Sequence, residues 1–511
     1  MKMVKSLILG SAAALVAMGG AQAADLPLKA KAVEYVKVCS LYGAGFYYIP
    51  GTDTCIKLGG YVRADVSFNA SSAYDAPAWS GASGQGNRLK NDYIFRSRQD
   101  INIDTRTATE YGVVRTYADF VLNWTTGTGQ IAGTDTVGGL GVYFAFIQFA
   151  GFTIGKAVSQ FDTPWSGYPG NNTAWLLGGY DNATGINQVS YTAQFGNGVS
   201  AAISLEDQSA YTQAGVFNVT NFASAAAGTA NYVQGIYGTN SVAGVQIPDI
   251  VGQLRVDQAW GLFQLSAAAH QVRASYYGNA GTVFDERNGH PSDKWGYAVQ
   301  GALSIRNLPT GPGDSINITA TYANGATRYV LGGVTGSLQN GATNNAIYGS
   351  SGIPGAYQSI AFAGISDGVF SGANSITGTG ISLTSAWGIR GAFNHNWSPT
   401  WSTSLFGAYT KVDYSGTATD LICAGGLAAR ITPVGATTCN PDFAIAQIGT
   451  VTRWTPAKGL TFSGEVLYTH IDQGYSGAFN VPVAVGTKPA AVYEAKDQGT
   501  WTGGLRAQRS F

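Results

Sequence analysis

The connections in this chain alternate between long and short from one end to the other, and that pattern constrains its fold most. The short links include Ala150-Gly151, Gly196-Asn197, Gln258-Ala259-Trp260, Ser398-Pro399-Thr400 and Thr455-Pro456-Ala457-Lys458. The long ones are 69–93, 161–185, 207–248, 326–384, 415–443 and 472–499. Long structureless loops are uncommon in compact domains, but a barrel with short turns on one rim and loops on the other requires both. Between the links the chain alternates with period two, the strand signature. Lys57, Tyr61, Arg63, Asp65 and Ser67 share one face, and Leu58, Val62, Ala64, Val66 and Phe68 the other. Arg96, Arg98, Asp100, Asn102 and Asp104 oppose Phe95, Ile101 and Ile103 in the same way.

About sixteen strands of spanning length follow from this reading. They are expected at 57–68, 94–105, 111–124, 142–150, 152–160, 186–195, 198–206, 249–258, 261–275, 294–306, 314–325, 385–397, 401–414, 444–454, 459–471 and 500–511. The stretch VYFAFIQFAGFTIG, residues 142–155, is apolar on both faces. One face is expected to meet lipid or a neighbouring subunit, and the other something folded inside.

The first residues read as an export leader. Lys2 and Lys5 precede a short apolar run ending at Met18, and Ala21-Gln22-Ala23 is an A-x-A cleavage site. The run is too short for a spanning helix, and no later stretch reaches about 18 consecutive apolar residues. Charged residues are only 11%, with 70 glycines and 12% aromatics, where a soluble domain carries about 25% charge. A surface with so few ionic groups suits lipid. The only non-helical fold that satisfies its backbone inside a membrane is a closed β-barrel. Without the leader lysines, 27 basic residues stand against 29 acidic ones, a balance that points away from nucleic acid. The expected division is a leader at 1–23, an N-terminal segment at 24–56 and the barrel at 57–511.

Cys39 and Cys55 lie 16 apart, as do Cys423 and Cys439. An even count in an exported chain predicts two local disulfides, whereas a metal site needs tighter spacing and histidine neighbours. No metalloprotease, phosphate-loop or nucleophile-elbow motif is present, so neither a reaction centre nor a cofactor is expected.

Arg63, Arg96, Arg98 and Arg115 share the polar phase of three consecutive strands. On the lipid face each would cost about 2–4 kcal/mol at the midplane, so the ladder is expected to face the lumen. It would act there as a charged wall, or pair with Asp65, Asp100, Asp104 and Asp119 and stiffen the barrel.

VCSLYGAGFYYIPGTDTCIKLGGYVRADV, FRSRQDINIDTRTATEYGVVRTYADF and FAFIQFAGFTIGKAVSQFD together resemble the general porins of Rhizobiales and Brucella-type alphaproteobacteria. The resemblance implies a sixteen-stranded trimeric barrel in outer-membrane lipid and lipopolysaccharide, passing small hydrophilic solutes and ions. It implies that the loop from Phe161 to Gly185 folds inward, where Asp162 or Asp181 would face the arginines. It also implies that Phe511 resembles the aromatic end signal read by the barrel-assembly machinery. Two other functions fit a barrel of this kind. A substrate-specific channel, for a sugar for example, would use Trp165, Tyr168, Trp175 and Tyr180 of that loop, and an adhesive surface protein would use the long loops.

Overall fold

The computed structural model describes residues 37–70, 77, 84–126, 136–181, 184–209, 211–220, 233, 235–278, 285–332, 346–427, 432–484 and 487–511. The expected leader, 1–23, lies outside the described residues.

Sixteen antiparallel strands form one closed sheet. They are β1 (Cys55–Phe68), β2 (Tyr93–Thr109), β3 (Gly112–Thr126), β4 (Thr136–Phe149), β5 (Phe152–Ala157), β6 (Ile186–Gly196), β7 (Val199–Glu206) and β8 (Asp249–Gln258). There follow β9 (Gly261–Val272), β10 (Lys294–Arg306), β11 (Ser315–Asn324), β12 (Ser385–Asn396), β13 (Trp401–Asp413), β14 (Phe443–Ala457), β15 (Leu460–Gln473) and β16 (Gln498–Ser510). Each strand pairs with its sequence neighbours, and β16 pairs back onto β1, from Tyr61↔Ser510 to Phe68↔Gly503. All sixteen expected strands are present, with ends shifted by a few residues.

One rim is made of tight turns. Asn197 and Gly198 have φ of 49° and 75°, the left-handed pair that a two-residue hairpin needs. A Cβ on Gly198 would lie 1.9 Å from the Asp257 carbonyl oxygen, so only glycine fits there. The other rim carries the long loops. Two bands of exposed rings encircle the barrel. On the turn side Trp401 stacks on Trp454 at 5.8 Å, and Trp454 on Phe462 at 5.7 Å. On the loop side Trp387 meets Tyr409, and Tyr468 meets Trp501. Such girdles sit at the two membrane–water interfaces, with the apolar band between them.

The stretch apolar on both faces has a local cause. Asp119 pairs with Phe144 but Phe120 pairs with Val142, so Tyr143 is the extra residue of a β-bulge. The bulge shifts the phase of β4. Leu140, Val142 and Ile147 face outward, while Tyr143, Phe144 and Phe146 lie on the lumen side, where rings of Tyr117 and guanidiniums of Arg98 and Arg115 meet them. Lys156 donates to the carbonyls of Val142 and Tyr143 and holds the bulge. This stretch therefore needs no neighbouring subunit to explain it. The fifth strand ends at Ala157 rather than 160, because from Val158 the chain leaves the wall for the lumen.

Both disulfides form as expected. Cys39–Cys55 ties the N-terminal segment to the first residue of β1, and Cys423–Cys439 closes part of the 414–442 loop. The long loops fold on one another above the barrel. Val216–Asn218, Thr239–Asn240, Gly368–Phe370 and Ser382–Leu383 make one small sheet. Ala346–Gly349, Gln358–Phe362, Thr432–Thr438, Ser476–Val481 and Ala491–Ala495 make another. Phe217, Tyr237, Phe362, Tyr475, Phe479 and Tyr493 are buried between them.

Candidate functional site in the lumen

The loop between β5 and β6, residues 158–185, folds into the barrel and runs along one side of its wall. Glu206 on β7 accepts from the Ser159 hydroxyl at 2.6 Å and the Gln160 amide at 2.8 Å. Gln264 on β9 and Gln300 on β10 donate to the carbonyls of Asp162 and Phe161, each at 2.8 Å. Asn317 on β11 donates to Pro169 O at 2.7 Å, and Arg453 on β14 to Gly170 O at 2.6 Å. At the far end Glu465 on β15 accepts from the amides of Asn172 and Thr173. Gln447 on β14 then holds Trp175 O and the Leu177 amide, both at 2.9 Å.

Arg390 on β12 is the centre of this attachment. Its guanidinium is buried and donates to the carbonyls of Ser166, Leu176, Gly179 and Tyr180. A second inward segment, Thr327–Tyr329, packs on the first, with Tyr180 stacked on Tyr329 at 4.9 Å. Above it His270 on β9 lies between two buried carboxylates. Its Nδ1 is 2.8 Å from Asp249 Oδ1, and its Nε2 is 3.5 Å from Asp367 Oδ2. Asp249 also accepts from the Tyr329 hydroxyl, and Asp367 from Thr327 and the Ala214 amide. The network fastens two outer loops to the wall.

The opposite side of the lumen, β1 to β3, is left accessible. Arg63 and Arg98 are half-buried, and the Arg106 and Arg115 side chains are 30% and 29% exposed. Arg390, by contrast, is 1% exposed. Carboxylates bridge most of this wall. Asp65 joins Arg96 at 2.8 Å to Arg506 of β16 at 2.6 Å, and Asp104 joins Arg106 to Arg115 at 3.0 Å each. Guanidiniums lie over rings throughout, Arg63 over Tyr61, Arg98 over Tyr143 and Arg115 over Tyr117.

The loop acids sit differently from the expectation. Asp162 is 1% exposed and acts, with Asp181, on Arg390; Asp162 acts also on Arg255, and Asp181 on Arg328. Both are drawn to the side where the loop is bonded. The loop group acting on Arg98 is Tyr168. Arg390, Glu465 and Arg506 were not among the expected site residues. The sign that points to the attached side is chemical: inward positions of β8 to β14 carry amides and hydroxyls, such as Gln253, Gln264, Gln300, Thr321 and Gln447, which suit bonding to a backbone.

The Porin subfamily profile matches residues 25–504 of this chain. The chain belongs to that family. It is 36% identical to the porin Omp2b of Brucella abortus (strain 2308) over 266 residues, half of this chain and 63% of that protein. The porin Omp2b of Brucella suis biovar 1 is 36% identical over 270 residues, with the same shares. The matched part is thus less than two thirds of these curated relatives. Among solved structures, the outer membrane channel DcaP of Acinetobacter baumannii has the same fold, with a TM-score of 0.54 and 13% identity over 91% of this chain and 99% of that one. This porin is a multi-pass β-barrel protein of the outer membrane.

Proposed function

We propose that the chain is a passive, water-filled channel for small hydrophilic solutes and ions, and not an enzyme. The observation that carries this reading is the asymmetry of the lumen. The inward loop is bonded along β7 to β15, and the accessible conduit runs beside the arginines of β1 to β3. Arg63, Arg96, Arg98, Arg106 and Arg115 outnumber the acids of that wall, Asp65, Asp100, Asp104 and Asp119, and Arg506 of β16 stands beside them. Charge this close to a permeating ion is within the Debye length of about 8 Å at physiological salt, so the wall favours anions.

Planar-bilayer recording tests the reading. Stepwise conductance is expected, with a reversal potential of anion-selective sign under a salt gradient that weakens as screening shortens to about 3 Å at 1 M. Bilayers that stay silent with correctly folded protein would refute the channel, and a cation-selective potential would refute the wall's role.

The proposed assembly is a homotrimer in lipid and lipopolysaccharide, delivered by the barrel-assembly machinery through β16 and the Phe511 that follows it. Support for the trimer comes from the family resemblance. Native mass measurement in mild detergent is expected to give three copies, and a monomer alone would end this part of the proposal.

A further inference from the structure

The strand register sets three arginine pairs on the accessible wall, and one of them differs. Arg106 stands directly opposite Arg115 across β2 and β3, and Asp104 bridges them. Arg96 and Arg506 flank Asp65 from either side of β1, and that carboxylate bridges them too. Arg63 stands directly opposite Arg98 across β1 and β2. Among the described residues no carboxylate comes within ion-pair distance of either. Like charges directly opposite on a sheet are destabilising. Asp65 acts on Arg63, Asp119 on Arg98 and Asp100 on both from farther off, and the side chains bonded directly to the pair are neutral. Arg63 Nε donates to Gln508 at 2.8 Å, and Arg98 Nε to Asn123 at 2.5 Å.

The orientation of the two guanidiniums is also held. Arg63 lies 4.4 Å over the Tyr61 ring and Arg98 5.6 Å over the Tyr143 ring. Ring contact uses the flat face of a guanidinium and one amide oxygen uses its Nε; the Tyr61 hydroxyl also bonds to Arg98, and what is left of the two Nη edges is the place for a forked acceptor. Carboxylate and phosphate match that fork bidentately; a monatomic anion does not. Both residues remain half-buried on the accessible side of the lumen, where a solute passes.

We infer that Arg63 and Arg98 form a binding site for the oxyanion group, carboxylate or phosphate, of small organic solutes in transit. A solute oxyanion takes the bridging role that Asp65 and Asp104 play for the neighbouring pairs. The inference rests on the channel reading and deepens it, from a diffuse basic wall to one saturable step.

Three solutes with nearly the same carbon skeleton test it: glucose, gluconate and glucose 6-phosphate. Each is added to the reconstituted porin while chloride current is recorded, and each is titrated calorimetrically into the detergent-solubilised protein. Saturable block and binding by gluconate, glucose 6-phosphate or both are expected, with none by glucose; which one acts identifies the oxyanion. Arg63→Gln with Arg98→Gln should raise the half-blocking concentration about tenfold or more, the loss expected from removing a charge-assisted hydrogen bond. Arg63→Lys with Arg98→Lys keeps both charges but removes the forks, so it should weaken block as well. Equal effects of glucose, no binding by either anion, or an undiminished block in the lysine pair would each overturn the site. Silent bilayers with intact calorimetric binding would sink the channel reading and leave the site standing. Circular dichroism of each variant confirms the barrel.

Discussion

Replacing Arg390 by methionine should loosen the inward loop toward the open side of the lumen and lower the mean single-channel conductance, with strong added current noise. The guanidinium is the donor to four loop carbonyls inside the barrel, those of Ser166, Leu176, Gly179 and Tyr180. Hydrogen bonds to a charged group are worth about 1.5–3 kcal/mol each, and buried carbonyls left without a donor add their own penalty. Methionine fills much of the same volume, so the wall itself should stay intact. Conductance and noise matching the wild type in a folded variant would show that the remaining anchors suffice without Arg390. Replacement of Gln264 alone, which removes a neutral donor, should have a much smaller effect.

The second large effect is expected at His270. Its imidazole separates Asp249 and Asp367, both fully buried, and through them it fastens Thr327, Tyr329 and Ala214. His270→Phe leaves two buried carboxylates without their shared partner. Removing one member of a buried ionic group typically costs about 3–5 kcal/mol. That cost should appear as detachment of the outer loops, read as fast protease cleavage between 325 and 384 from the external side. Asp367→Asn added to His270→Phe relieves part of the charge and should slow the cleavage again. Wild-type cleavage rates in the single variant would show that the loops are held by apolar packing alone.

Much of the barrel was legible because a spanning strand must repeat every two residues and must end in a turn or a loop. Tyr61, Arg63, Asp65 and Ser67 had to share one face whatever the rest of the chain did. The cysteine pairs were legible for a similar reason, since both closures are local. Less could be read where the alternation is interrupted. The start of β4, TVGGLG, carries three glycines and shows no faces, and the bulge at Tyr143 merges two phases into one apolar run. The seating of the inward loop was beyond reach, because it depends on which of many amides and hydroxyls meet backbone groups far away in the chain. Asp162 and Arg390 are more than two hundred positions apart, and nothing local ties them. His270 and Asp367 are separated by less than half of that, yet nothing local ties them either. Arg63 and Arg98 were placed on one face by phase, but their direct opposition follows only from the strand register.

The closure of β16 on β1 carries a consequence for the order of folding. Arg63 bonds to Gln508 across a separation of 445 residues, and until those two meet every intermediate sheet keeps two open edges. Open edges are templates for pairing with other chains, and contacts this distant in sequence are slow to form. The strand that comes last of the sixteen in the chain is therefore the one that makes all earlier pairings safe. The chain must be kept apart from its own copies throughout export, and its commitment to a single closed molecule comes as one late event at this seam.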